Sequence, residues 1–448
     1  MGRRRRSARG PRPRRRPKRA SGEAIVEAIL QASAQLLERD GVDGLNTNRV
    51  ARVAGVSIGS LYQYFPDKHA LVAELARGLE GRGVELGEAL AGELREADGR
   101  HGTWSLVGVP LDPTLGSVTV RRALLREVPR GWIRGATREA DEAFEALIAR
   151  FVARRARDFR DTDPDVVAFV CFHAAEGVIE GALLHDPAML HRPWLREELF
   201  RVVWRYAAAE GQPLDVPERS PLRFEPPALD PPSAPLLERL AQERSGRVDT
   251  SARAKAATDK GRRTAARILD AAARILVDEG MAALSARRVA QEAGISVGGL
   301  YRRFRNKQAI VAELARRLEE RSRALFAERL AAGRDAALPD AIEAIVRLFL
   351  TPEVGDPRLR QALLVEVPRR WTEESAVATE RAAVEGVAAQ LRARAGAIRE
   401  GDPERMAFVV CRAIEAIAES ALIRNPGWID DGRLARECVD LALRYLRR

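Results

Sequence analysis

The chain has 448 residues, 46% hydrophobic and 5% aromatic, with 75 Lys and Arg against 64 Asp and Glu for a formal net charge of +11. That length allows two or three domains with real cores, and the scarcity of aromatic residues and of Ile/Val/Thr/Tyr runs excludes a strand-rich protein in favour of long Ala/Leu/Val helices, an all-α fold. The charge excludes a uniformly basic surface: residues 1–20 hold eleven basic groups and no acid, and without them the body carries 64 of each sign, so any nucleic-acid site on it is a local patch.

Residues 1–21, Arg-rich and broken by Pro and Gly, are expected to be a disordered arm. Ile25, Ile29, Ala32, Leu36 and Leu37 recur at helical spacing and predict a helix over 23–40, stopped by Gly41. Asn46 caps a short helix reaching Ala54, Gly55 makes a turn, Ser57 caps a third helix reaching Tyr64, and Asp67 starts a fourth. That order is helix-turn-helix. Further helices are expected over 71–96, 117–130, 135–157, 164–185 and 193–209, with breaks at Pro110, Pro129, Pro164 and Pro187. From 210 to 261 the composition turns Pro-rich, with a short helix near 236–244 and then a basic, Ala-rich run. This is read as an interdomain linker, whose roughly 50 residues reach about 165 Å when extended.

Beyond the linker the first half returns, residue for residue, at an offset of 239. Gly41, Leu45, Gly55, Tyr62, Phe65 and Lys68 recur as Gly280, Leu284, Gly294, Tyr301, Phe304 and Lys307. The match runs far downstream: Glu127-Val128-Pro129-Arg130 recurs as Glu366-Val367-Pro368-Arg369, Trp132 as Trp371, and Arg205-Tyr206 as Arg444-Tyr445. The chain therefore reads as two copies of one protein, with helix-turn-helix domains at 22–80 and 262–319 and helical regulatory domains at 81–209 and 320–448.

In each copy Leu61/Phe65 and Leu300/Phe304 lie four apart on one helical face and are expected in the core. Tyr62, Gln63 and Tyr64, with Tyr301, Arg302 and Arg303, then turn outward. The Ala-Gly-Val-Ser turn, the Gly-x-Leu-Tyr-x-Tyr-Phe run and a Lys three residues on closely resemble the TetR family of bacterial transcription regulators. The resemblance extends more weakly over each full repeat. It implies phosphate contacts from Thr47, Tyr62, Tyr64 and Lys68, and from Tyr301, Arg303 and Lys307. It implies base reading by Asn48, Ile58, Gly59, Ser60 and Gln63, with counterparts Arg287, Val297, Gly298, Gly299 and Arg302. Gly59 and Gly298 suit close approach to a groove floor, or else a tight helix contact. Amides at Asn48 and Gln63 suit adenine whereas Arg287 and Arg302 suit guanine, so unlike half-sites are expected, unless these groups touch only phosphates. Repeat 2 departs from the family pattern at Arg303, where the second Tyr is expected, and has Arg305 where Pro66 stands in repeat 1. The arm and the run 253–263 either add phosphate or minor-groove contacts or are solvated tails.

The family implies a dimer that places two reading helices in successive major grooves. The last two helices of each repeat, 164–185 with 193–209 and 403–424 with 432–447, are expected to form its four-helix bundle, with Ala174, Ala175, Gly177, Gly181 and Ala182 allowing close approach. Either the repeats pair within one chain as a pseudo-dimer or two chains form a homodimer. The middle helices imply an effector pocket, for which Trp104, Trp132, Phe144, Phe169, Phe172, Phe349, Trp371 and Phe408 are candidate lining, each equally at home in plain core. The effector is an unidentified small molecule.

His173, Glu176 and Glu180 share a helical face, but repeat 2 has Arg412 in place of His173, so an interface ion-pair network is expected there and no metal. No catalytic constellation or cofactor site is legible, and an enzyme is not expected. Cys171, Cys411 and Cys438 have spacings that give no disulfide framework. The sequence is read as lacking both a bilayer-spanning apolar stretch and a signal peptide, so a cytoplasmic protein with no membrane partner is expected. The expected partner is double-stranded DNA and the expected function a sequence-specific regulator, a repressor relieved by its effector. The alternative is a helical ligand- or partner-binding scaffold with one or both heads inactive.

Overall fold

The computed structural model describes Pro13 and residues 20–41, 44–217, 259–350, 355–425 and 427–448. The Arg-rich arm up to 19, the Pro-rich linker from 218 with its expected helix near 236–244, and the basic run as far as 258 lie outside the described residues. Repeat 1 is built from α1 (Ala20–Asp40), α2 (Thr47–Val53), α3 (Ile58–Tyr64), α4 (Lys68–Glu93), α5 (Gly99–Leu106), α6 (Val118–Glu127), α7 (Arg130–Ala153), α8 (Pro164–His185) and α9 (Pro193–Ala207). Repeat 2 comprises α10 (Asp259–Asp278), α11 (Ala286–Glu292), α12 (Val297–Tyr301), α13 (Lys307–Ala332), α14 (Leu338–Leu350), α15 (Pro357–Glu366), α16 (Glu373–Ala393), α17 (Pro403–Arg424), the single turn α18 (Gly427–Asp430) and α19 (Arg433–Leu446).

The differences from the sequence reading have local causes. Helix α1 starts at Ala20, inside the segment assigned to the arm, and α10 at Asp259, inside the segment assigned to the linker. Pro129 does not delay α7 to 135, because proline fits the start of a helix where its missing N–H has no intrahelical acceptor. Helix α5 was not expected: Asp98 caps it by accepting from His101 N at 2.8 Å, but its Gly-rich sequence hides the pattern. The divisions at 80/81 and 319/320 fall inside the continuous helices α4 and α13.

Each repeat has a small core in its head. Leu36, Leu37, Val50, Leu61, Phe65 and Leu71 form the first, and Val120, Leu124 and Val128 join it from α6 and its C-cap. Leu269, Ile275, Val289, Leu300, Phe304 and Ile310 form the second, joined by Val367 after α15. A third, larger core runs through both repeats, with Phe169, Val178, Leu199 and Phe200 from one and Val409, Ile414, Leu441 and Tyr445 from the other.

That shared core exists because α8 is apolar around most of its circumference, as a helix largely surrounded by protein must be. Its 22 residues are in fact long and apolar enough to cross a membrane, which corrects the sequence reading, but 78% of its most apolar window is buried inside the protein. It packs against α17, and α9 packs against α19. At Gly177 a Cβ would overlap both Ala416 Cβ and the Arg412 carbonyl, so glycine is what lets the two backbones touch.

One set of polar contacts across the bundle is reciprocal. Arg160 meets Asp440 at 2.6 Å and Glu437 at 3.5 Å, Tyr206 donates its hydroxyl to Glu437 at 2.7 Å, and the Arg160 guanidinium lies 4.8 Å over the Tyr206 ring. On the other side Arg399 meets Glu198 at 2.5 Å, Tyr445 donates to Glu198 at 2.5 Å, and Arg399 lies 4.5 Å over the Tyr445 ring. Under the 239 offset, Arg160, Glu198 and Tyr206 become Arg399, Glu437 and Tyr445. Residue i of one repeat touches j of the other, and j's counterpart touches i's counterpart, the mark of an isologous two-fold interface. Burial, with the neighbouring carboxylate, pushes both phenols up, so they remain donors.

Candidate nucleic-acid interface and internal cavities

The heads are fixed by side-chain caps at the positions the sequence marks. Asn46 accepts from Arg49 N at 2.9 Å, Ser57 from Ser60 N at 3.0 Å and Asp67 from Ala70 N at 2.9 Å. Repeat 2 does the same through Ser285, Ser296 and Asn306, at 3.2, 3.1 and 2.8 Å. Between the second and third helices Gly55 and Gly294 take φ of +66° and +61°, a left-handed turn that glycine makes without strain.

With Leu61 and Phe65 buried, as are Leu300 and Phe304, the opposite face of each third helix is left open. Val53, Ile58 and Tyr62 are 45%, 38% and 39% exposed, and Val297 and Tyr301 are 40% and 42%. Among the described residues, Leu214 alone among large hydrophobic side chains is also that exposed. A folded protein leaves apolar groups gathered like this where a partner covers them. Asn48, Gly59 and Gln63 are exposed beside them and Ser60 is half-buried. Thr47 Oγ1 and the Tyr62 hydroxyl are 3.1 Å apart, so two of the expected phosphate contacts form one polar spot, whereas Tyr64 is half-buried against the head core. Lys68 is the first residue of α4 and is half-buried.

Space around the glycines separates their two readings. A Cβ at Gly59 would meet only Ser57 Oγ, at 3.7 Å, and one at Gly298 nothing within 4 Å. No helix packs against either, so close internal packing does not require them to be glycine. The repeats differ in the helix itself: α12 ends at Tyr301, Arg302 is its C-cap, and Arg303 N and Phe304 N both donate to the Leu300 carbonyl at 2.9 Å. Arg302 and Arg303 thus stand in a tightened final turn. Arg287, Arg302, Val297 and Gly298 are exposed, and Gly299, Arg303 and Lys307 half-buried.

Each regulatory half encloses a cavity. The first, about 170 Å³, is walled by α4, α6, α7 and α8, with Leu79, Glu80, Arg121, Asp141, Phe144 and Phe172 on its surface. The second, about 760 Å³, is walled by α13, α15, α16 and α17, with Glu319, Phe326, Phe349, Arg360, Glu380 and Glu415. Wall residues explain much of the difference: under the offset Phe144, Phe172 and Ile179 become Ala383, Cys411 and Ala418. Of the eight aromatics expected on cavity walls, Phe144, Phe172 and Phe349 are there. Trp104 lies 4.1 Å under the Arg196 guanidinium and against Phe200. Trp132 packs on His69, Trp371 on the second head core, Phe169 on Trp428 across the repeats, and Phe408 on His185. Helical periodicity marks all eight as inward-facing; it does not say whether the inside is cavity or core.

Of the charged residues on these walls the sequence reading singled out Glu176 and Glu180 but not Glu80, Arg121 or Asp141, although a signal for the first two of these existed. Glu80, Arg121, Arg130 and Glu180 are retained as Glu319, Arg360, Arg369 and Glu419 on otherwise apolar helical faces. Arg130 lies 3.5 Å from Glu180, on the wall of the first cavity, and pairs with Glu419, on the wall of the second. Burial, then Asp141 and Glu176, push the Glu80 carboxyl up to about 8. Burial and Glu176 push Asp141 up to about 7. Burial also opposes ionisation of Glu176, but Arg134, at 2.5 Å, and His173 outweigh it and hold that carboxyl at about 2. His173 sits between Glu176 at 3.0 Å and Glu145 at 3.1 Å, with Ser420 at 3.1 Å and Arg424 at 3.2 Å reaching in from repeat 2. This face is therefore an ion-pair network between the repeats.

Comparison with known proteins finds two family profiles, each matching the chain twice. The family profile described as bacterial regulatory proteins, tetR family, matches residues 29–75 and again 268–314. The profile described as tetracyclin repressor-like, C-terminal domain, matches 116–206 and 337–446. An uncharacterised HTH-type transcriptional regulator of Mycobacterium bovis is 29% identical over 187 residues, 41% of this chain and 94% of that protein. The class D tetracycline repressor protein of Escherichia coli is 25% identical over 174 residues, 38% of this chain and 72% of that protein. Among solved structures, SmeT, the repressor of the Stenotrophomonas maltophilia multidrug efflux pump SmeDEF, matches at 23% identity with a TM-score of 0.33, covering 41% of this chain and 90% of that one.

Proposed function

The chain belongs to the TetR family of bacterial regulatory proteins and carries both of its domains twice, and from that premise we propose that one chain does the work of a dimer. It is a transcriptional regulator and not an enzyme. In the proposed reading repeat 1 and repeat 2 form an intramolecular pseudo-dimer in the cytoplasm and lay α3 and α12 in successive major grooves of an asymmetric operator. The observation that carries the pairing is the reciprocal set Arg160/Tyr206/Glu437 and Arg399/Tyr445/Glu198, which closes the bundle within one chain. Thr47, Tyr62, Tyr64 and Lys68, with Tyr301, Arg303 and Lys307, hold phosphates. Asn48, Ile58, Gly59, Ser60 and Gln63 read one half-site, and Arg287, Val297, Gly298, Gly299 and Arg302 the other.

The chain acts as a repressor, as its tetracycline-repressor relative is named, and a small molecule relieves it. The coupling runs through α6 and α15. Leu124 lies in the head core and also on the wall of the first cavity, and Val367 does the same for the second, so a ligand that moves either wall moves a head.

Selection from random duplexes by the purified chain, followed by titration of the winning sequence, tests this. Two unlike half-sites about ten base pairs apart, bound one chain per duplex, are expected. A palindrome bound by two chains means that repeats pair between chains. No enrichment favours the ligand-binding scaffold.

A further inference from the structure

The two cavities differ in chemistry as well as in size. In the first, Phe144 and Phe172 stand with ring centroids 5.6 Å apart, and Phe151 and Phe159 continue the wall. At the same offset repeat 2 has Ala383, Cys411, Gln390 and Ile398, so none of the four rings is kept. The face of an aromatic ring is the negative end of its quadrupole and attracts cations.

Beside these rings lie two carboxyls. Glu80, on α4, lines the cavity and is exposed, and has no hydrogen-bond or ion-pair partner among the described residues. Asp141, on α7, is 3% exposed and accepts from the Thr137 hydroxyl at 3.3 Å. The other charged groups facing them are Glu176, Glu180 and His173 on α8, Arg134 on α7, Arg121 on α6 and, from repeat 2, Arg424 on α17. Arg134 is held by Glu176 at 2.5 Å, with Asp141 and Glu180 at 3.8 Å, and Arg121 donates to the Pro110 carbonyl at 3.0 Å. Glu176 takes up Arg134 and Arg130 lies 3.5 Å from Glu180, so among the described residues Asp141 has a guanidinium only at 3.8 Å and Glu80 none within ion-pair distance. In repeat 2 the counterpart of Asp141, Glu380, is paired with Arg369, His185 and Arg412, and Glu319 is hydrogen-bonded to Thr379.

We propose that the cavity of repeat 1 is a binding site for a small organic cation, a quaternary or protonated amine on one apolar ring, seated between Glu80 and Asp141 against the faces of Phe144 and Phe172. Repeat 2 provides no such site. An apolar cavity of about 150 Å³ holds a benzene molecule, so 170 Å³ suits one ring and a compact ammonium group. This identifies a ligand class for the effector reading above and rests on it. The raised carboxyls give the site a pH dependence. A cation binds the ionised forms, so affinity rises between about pH 6 and about pH 9.

Calorimetry of the full chain with benzyltrimethylammonium chloride, and with benzyl alcohol as the uncharged ring, tests the site. One cation per chain is expected, bound at least tenfold more tightly than the alcohol. Glu80→Gln and Asp141→Asn each weaken the cation tenfold or more, while Glu88→Gln, exposed elsewhere on α4, does not. Phe144→Leu removes a ring face, keeps an apolar wall, and weakens the cation more than the alcohol. A circular dichroism melt of Glu80→Gln no lower than that of the parent chain excludes unfolding as the cause. Equal affinity for the alcohol, two cations per chain, or indifference to both Glu80→Gln and Phe144→Leu would overturn the proposal. Operator affinity measured with and without the cation keeps the two readings apart. A cation that binds as described without releasing DNA leaves the site standing and removes its effector role, whereas release by the neutral ring alone does the reverse.

Discussion

The bundle that joins the repeats and the cavities inside them differ in which side chains the two repeats share. Across the bundle Arg160, Glu198 and Tyr206 keep their identities as Arg399, Glu437 and Tyr445, and Gly177 faces its own counterpart, Ala416. In the cavity walls Phe144, Phe151, Phe159 and Phe172 have all been replaced. The difference follows from what each surface must fit. An interface residue is opposed by the other repeat, so a change on one side needs a matching change on the other. A cavity residue faces open space, so two cavities in one chain are free to differ.

The comparison breaks most visibly at its tightest point. Gly177→Leu should force α8 from α17 and lower the unfolding free energy by about 3 kcal/mol, read by urea denaturation. If stability holds, the backbones do not touch there in solution. Tyr206→Phe and Tyr445→Phe each remove a buried donor from a carboxylate and should cost about 2 kcal/mol, alike within error. Unequal losses would mean the two-fold is only approximate. The heads sharpen the contrast further. Gln63→Ala should relax base preference in one half-site and Arg302→Ala in the other, each by about 1 to 2 kcal/mol of discrimination in competition binding. Relaxation of the same half-site by both would remove the unlike-half-site reading.

The smallest effect is a pH slope. The carboxyl of Glu80 binds its proton more tightly folded than unfolded, so its contribution to stability is full below about 4.5 and is lost as pH rises through about 8. Glu80→Gln should flatten the melting temperature over that window. A slope unchanged in the variant would assign it to Asp141 or to another group.

Much of the head was legible in the sequence because its determinants are local. Asn46, Ser57 and Asp67 cap helices through bonds three residues long, and Leu61 and Phe65 bury one face by spacing alone. The cavities were legible only in part. Phe144 and Phe169 look alike in sequence, yet one lines a cavity and the other packs on Trp428 of the opposite repeat. Glu80 drew no notice because a single Glu on a helix is usually solvated, although its retention as Glu319 marked it.

By itself, then, the sequence determined the all-α class, the doubled plan at an offset of 239 and the helix-turn-helix heads, because repeats, caps and periodicity are written in neighbouring residues. Tertiary structure decided which helix meets which, that Glu80 and Asp141 line one cavity, and that Arg130 lies between Glu180 and Glu419. Those are contacts between residues as much as 289 positions apart, fixed by packing that no local pattern encodes.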